Sequence, residues 1–134
     1  MRPTITAEPV KGSGTILVID DDEDVLSVSL TILERLGYHV LLAKSGEETL
    51  EIANGFDEKI DLAILDIGLP DIPGGRLYQM LKKIRPDIRV LVSTGYAVED
   101  IGENLKRAVQ GFIQKPISFS KLSIKLKEVL GELK

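Results

Sequence analysis

Residues 15–25 read TILVIDDDEDV. Four apolar residues, Ile16 to Ile19, run directly into five acids, Asp20, Asp21, Asp22, Glu23 and Asp24. A short, continuous apolar run is the pattern of a strand covered on both faces, as in a parallel sheet flanked by helices. Five like charges at its tip repel one another unless they are solvated, used at a helix start, or shared with a cation. The rest of the chain decides among these.

Working outward, further apolar runs occur at 38–43 (YHVLLA), 61–66 (DLAILD), 88–93 (IRVLVS) and 111–114 (GFIQ). Segments of helical period lie between them. Residues 23–36 place Val25, Val28, Ser29, Ile32 and Leu36 on one stripe, and Gly37 ends that helix. Ser45 with Glu48 forms a capping-box pattern ahead of Leu50 and Ile52. Residues 75–84 and 118–130 read as helices, with Gly74-Gly75 a tight turn before the former. Residues 98–109 read as a weaker helix interrupted by Gly102. Five strands alternating with five helices give an α/β fold, and right-handed crossovers leave few topologies. The expected architecture is flavodoxin-like: a doubly wound, five-stranded parallel sheet of order 2-1-3-4-5, with ligands at the carboxyl ends of the strands. Residues 1–14, MRPTITAEPVKGSG, read as a flexible lead-in, and residues 15–134 as one domain.

Composition narrows the function classes. The 134 residues contain no cysteine and one histidine, so thiolate and His-rich metal sites are excluded, and a Ser–His–Asp triad is disfavoured. A net charge of −4 argues against nucleic-acid contact. No apolar run approaches the roughly 18 residues of a membrane span, and the N-terminus lacks a signal pattern. The expected location is cytoplasmic, as a monomer or weak dimer with no membrane partner.

The strand ends supply the sharpest test. Strand 1 ends in Asp20-Asp21, strand 3 in Asp66, strand 4 in Ser93-Thr94-Gly95 and strand 5 in Gln114-Lys115-Pro116. In the order 2-1-3-4-5 these ends are adjacent, so three carboxylates, a hydroxyl and an ammonium converge. Carboxylate oxygens suit Mg2+, which needs only one or two of them and keeps several waters. Asp22, Glu23 and Asp24 then belong to a helix start, where acids meet free N–H groups and the positive dipole end.

With ILVIDDDEDV, DLAILDIGLPDIPGG, VLVSTGYA and GFIQKPIS in this order and spacing, residues 15–132 closely resemble a response-regulator receiver domain of two-component signalling. The GSGTILVIDDDEDV and GFIQKPIS segments are similar in style to receivers of hybrid histidine kinases. The resemblance implies Asp66 as phosphoacceptor, with Asp21 binding Mg2+ directly, Asp20 mostly through water, and the Gly68 carbonyl completing the protein ligands. It implies that Thr94 and Lys115 contact phosphoryl oxygens, that Pro116 follows a cis peptide, and that Thr94 and Phe112 form the conformational switch. The implied donor is a phosphohistidine on a histidine kinase dimerisation/phosphotransfer domain or a histidine phosphotransfer protein. The chain itself would be no enzyme, beyond assisting its own phosphorylation and dephosphorylation. Gly68 and Tyr96 depart from the family's common residues where they flank the path of attacking water.

Two rival classes stand beside this one. A dehalogenase-type aspartyl-phosphate phosphatase needs Asp-x-Asp-x-Thr or Val, and here Asp24 occupies the last position. A degenerate receiver serving only protein interaction would lack an edge residue, and all five are present. A partner face is expected on the first helix. Leu26 and Leu30 fall outside the predicted core stripe, one turn apart, with Pro116 and Ile117 nearby.

Overall fold

The computed structural model describes residues 14–95 and 102–130. In chain order the elements are β1 (Thr15–Ile19), α1 (Glu23–Arg35), β2 (His39–Ala43), α2 (Gly46–Gly55), β3 (Leu62–Asp66), α3 (Gly74–Ile84), β4 (Arg89–Thr94), α4 (Glu103–Ala108), β5 (Gly111–Gln114) and α5 (Phe119–Leu130). The strands form one parallel sheet of order β2-β1-β3-β4-β5, the expected flavodoxin-like arrangement.

Alternate residues of the central strands feed two cores. Ile16, Val18, Leu62 and Ile64 pack with Leu26, Ile32 and Leu33 of α1 and with Leu122 and Leu126 of α5. Leu17, Ile19, Ala63 and Leu65 pack on the opposite face with Ala53 of α2 and with Leu77 and Leu81 of α3. Because both faces are covered, β1 and β3 are buried along their whole length. That is why they read as unbroken apolar runs rather than alternating ones. Among the described residues, no helix is long and apolar enough to cross a membrane.

Local signals hold in detail, with corrections. Gly37 ends α1 with φ +96°, its N–H donating to Glu34 O at 3.0 Å while Tyr38 N donates to Leu33 O at 3.0 Å, a glycine-dependent helix stop. Ser45 caps α2 by accepting from Glu48 N at 3.0 Å, and the Glu48 carboxylate reaches back to Lys44 N at 2.6 Å. Gly14, read as the end of the lead-in, is already part of the sheet edge: its carbonyl accepts from His39 N at 2.9 Å. Gly102 does not interrupt α4 but stands at its N-cap; residues 98–101 of the predicted helix lie outside the described residues. Gly74 is the first residue of α3, and its small size is what counts there, since a Cβ would meet Ile67 Cβ at 2.7 Å.

The expectation for α1 is wrong by about one residue of rotation. Leu26, predicted as an exposed partner residue, is 4% exposed, and Leu30 is half-buried. Val28, placed in the predicted core stripe, is 46% exposed. Apolar residues at 25, 26, 28, 30, 32, 33 and 36 surround so much of the helix that periodicity alone does not choose a face. Packing against Ile16, Val18 and Ile64 chooses the face carrying Leu26, Ser29, Ile32 and Leu33. Burying a leucine there rather than a valine removes more apolar surface from water.

Candidate functional site

Asp20 leaves β1 as a buried residue, 1% exposed, its backbone N–H donating to Ala43 O at 3.0 Å. Its Oδ1 accepts from Asp22 N at 2.9 Å. Its Oδ2 has no aligned hydrogen bond and lies 2.8 Å from Lys115 Nζ, a contact of opposite charges. Asp21 is exposed beside it. Asp22 is the N-cap of α1, accepting from Asp24 N at 2.9 Å, and Glu23 and Asp24 occupy the first turn. Asp22, Glu23 and Asp24 therefore stand at the helix start, as expected, and Glu23 also pairs with Lys44 Nζ at 2.9 Å.

Asp66 closes β3 at 6% exposure. Its Oδ1 accepts from Gly68 N at 3.0 Å, and its Oδ2 lies 3.6 Å from Lys115 Nζ. Burial pushes the Asp66 carboxyl above the ordinary aspartate value; the Gly68 N–H and Lys115 pull it down, and Asp20 and Asp21 push it up. For Lys115, burial acts to lower the pKa, but Asp20 and Asp66 outweigh it and the net direction is upward. Thr94, the last residue of β4, is 1% exposed, and its carbonyl accepts from Lys115 N at 2.8 Å. The Lys115–Pro116 peptide is cis. Phe112 is half-buried in β5, in register with Val92.

Asp20, Asp21 and Asp66 each offer an oxygen within 4.8 Å of the others. Three converging carboxylates, only partly neutralised by the one Lys115 ammonium, supply hard oxygens that fit a small divalent cation. Asp20, Asp21, Asp66, Gly68, Thr94 and Lys115 thus all stand at one edge of the sheet. Tyr96 lies outside the described residues. His39 is at the opposite end of its strand, stacked on Phe56 with ring centroids 6.1 Å apart. Beside the place where a partner face is expected, Val25 and Val28 of α1 with Lys115, Pro116 and Ile117 line a hollow of about 150 Å3. Asp71 went unread: it accepts from Gly46 N and Glu47 N at 2.9 and 3.0 Å, and these bonds hold its carboxyl below the usual range.

Comparison with known proteins agrees with this geometry. The family profile described as the response regulator receiver domain matches residues 16–127. The sensor kinase CckA of Brucella abortus is 34% identical over 125 residues, 92% of this chain but only 13% of that protein. A CheY-like receiver domain protein from Methanospirillum hungatei superposes with a TM-score of 0.79 at 35% identity, covering 90% of this chain and 96% of that one. Response regulator TrrA from Thermotoga maritima, solved in complex with Mg2+ and BeF, has a TM-score of 0.73 at 29% identity, covering 87% of this chain and 98% of that one. By profile, sequence and fold together, this chain belongs to the response regulator receiver domain family.

Proposed function

We propose that the chain is a phosphoacceptor signalling module: Asp66 takes a phosphoryl group from a phosphohistidine on a partner kinase or phosphotransfer protein, and the chain changes conformation in response. The observation that carries this reading is the placement of a buried Asp66 carboxylate between two further aspartates and the Lys115 ammonium. In the transfer, an Asp66 oxygen bonds to phosphorus as the P–N bond to the donor imidazole breaks, and the ring nitrogen keeps the electron pair. Such a transfer needs in-line positioning and charge stabilisation above all. The Gly68 N–H orients the carboxylate at 3.0 Å. Lys115, 3.6 Å from Asp66, is placed to meet arriving phosphoryl charge. Thr94 offers a hydroxyl at the neighbouring strand end. Asp20, Asp21, Asp66 and the Gly68 carbonyl would hold Mg2+, which supplies neutralisation of charge on the transferring oxygens.

Docking of the donor falls to the apolar hollow of Val25, Val28, Pro116 and Ile117, which borders Lys115. A bundle helix bearing the histidine would pack there through apolar side chains. No turnover on a diffusible substrate is part of this reading. Mg2+ with acetyl phosphate should add one phosphoryl group to the wild-type chain and none to Asp66→Asn, read by intact mass. Full labelling of the Asn variant would sink the assignment. A chain that binds neither Mg2+ nor beryllofluoride would instead be a degenerate receiver used for interaction alone.

A further inference from the structure

The loop that follows Asp66, residues 67–73, is tied to a helix remote from it in sequence. Asp71 Oδ1 accepts from Gly46 N at 2.9 Å, and Oδ2 accepts from Glu47 N at 3.0 Å. Both donors belong to the set of N–H groups that a helix start leaves without internal partners. Ser45 already serves that start by accepting from Glu48 N, so Asp71 is an addition from outside the helix. Side-chain packing reinforces the link. A Cβ on Gly46 would come within 2.6 Å of Ile72 Cδ1, so the glycine lets the loop lie directly on α2. Leu69 roots the middle of the loop at 6% exposure, and Ile67 packs against Gly74 at its far end.

The same loop carries Gly68, whose N–H holds Asp66 Oδ1. Only Leu69 and Pro70 separate Gly68 from the Asp71 anchor, too few to absorb a shift at one end without moving the other. Constellations of this kind lose most of their function when displaced by about 1 Å.

We propose that Asp71 is a positioning residue for the phosphoacceptor site: by fixing loop 67–73 to α2 it holds Gly68, and through it the Asp66 carboxylate, in the geometry that a divalent cation and a phosphoryl group require. The proposal rests on the receiver reading above. It differs from a plain helix cap in one respect that can be measured. A cap stabilises α2, and Ser45 does that too. A positioning residue changes the site.

The test uses the full chain in four forms: wild type, Asp71→Ala, Asp71→Asn and Ser45→Ala. Mg2+ affinity is measured by calorimetry, labelling by acetyl phosphate, and amide exchange at Gly68 by NMR. Asp71→Ala should weaken Mg2+ binding about tenfold, slow labelling and speed Gly68 exchange. Asp71→Asn keeps one acceptor oxygen and should fall between it and wild type. Ser45→Ala should lower the melting temperature yet leave Mg2+ affinity within about twofold and Gly68 exchange unchanged. Equal effects of Ser45→Ala and Asp71→Ala on Mg2+ would reduce Asp71 to a cap and overturn the proposal. So would an Asp71→Asn variant that matches wild type in both affinity and exchange, which keeps the test decisive if the alanine variant does not fold. A wild-type chain that neither binds Mg2+ nor takes label would instead overturn the receiver reading itself.

Discussion

Lys115 Nζ lies 2.8 Å from Asp20 Oδ2 and 3.6 Å from Asp66 Oδ2, so one ammonium bridges the ends of β1 and β3. The family resemblance implies a lysine that contacts an arriving phosphoryl group. The geometry gives it a second task, compensating two buried carboxylates.

Lys115→Ala is therefore expected to destabilise the chain in EDTA by about 1–3 kcal/mol. The effect should stay below that of a fully buried pair because the lysine side chain is 23% exposed. Magnesium should then raise the melting temperature of the variant more than that of wild type, since the cation no longer competes with the ammonium. Thermal melts of both proteins with and without Mg2+ measure this directly. A variant as stable as wild type in EDTA would mean that the bridge contributes nothing to the fold.

Asp66→Asn should stabilise the chain in EDTA at neutral pH. Burial raises the Asp66 carboxyl above the ordinary aspartate value of 3.8, so the native state holds that proton more tightly than the unfolded state. The stability this group contributes is complete below about 3.8 and is lost as pH rises through the folded value. The advantage of asparagine should accordingly be small near pH 4 and grow to a few degrees, about 2 °C or more, by pH 7.5. An Asn variant that melts below wild type at pH 7.5 would contradict the assignment of burial as the dominant influence on Asp66.

Millimolar Mg2+ should stabilise wild type by about 1–3 kcal/mol through binding to the native state alone. Asp21→Ala should abolish that gain while leaving stability in EDTA equal or higher, because Asp21 is exposed and adds repulsion to Asp66. Melts across a Mg2+ titration decide the matter. A wild-type melting temperature indifferent to Mg2+ would refute the three-aspartate site.

Val28→Asp should cut phosphotransfer from a cognate histidine kinase tenfold or more, about 1.4 kcal/mol, while acetyl phosphate labelling stays near wild type. Val28 is exposed at the rim of the hollow beside Lys115 and Pro116. Leu26→Asp should fail differently, losing both routes together, because it drives a charge into the core beside Ile16 and Val18. Loss of both routes in the Val28 variant would place that residue in the fold rather than the docking face.

The sheet and its acidic edge were legible because each depends on short-range sequence. Continuous runs such as ILVI and LAIL mark doubly covered strands, and the residue after each run falls at the strand's carboxyl end. Asp20, Asp66, Thr94 and Lys115 could thus be placed together once the strand order was set. The facing of α1 was not legible, since leucines and valines are spread around the helix and only the sheet selects between Leu26 and Val28. Asp71 was missed for another reason. Its partners lie about 25 residues upstream, and no local pattern marks a carboxylate that caps a helix other than its own. Lys44 and Glu23 pair across 21 residues and escaped in the same way.

Of the described helices, α4 has the least hold on the core. It has six residues, none of them buried, and is joined to α3 where Tyr78 Oη donates to Ala108 O at 3.1 Å. So short a helix has little stability of its own, whereas Asp66 and Thr94 sit on strands buried on both faces. On the proposed receiver reading, an element this weakly held is the one expected to exchange between arrangements a few kcal/mol apart, the minor one populated at roughly 0.1–10%. Inverting such an equilibrium from 1:99 to 99:1 takes a differential of about 5.5 kcal/mol, within reach of one charged group that prefers one arrangement. On that reading the buried strand ends would fix where the preference is set, and the thinly anchored helix how little free energy is needed to express it.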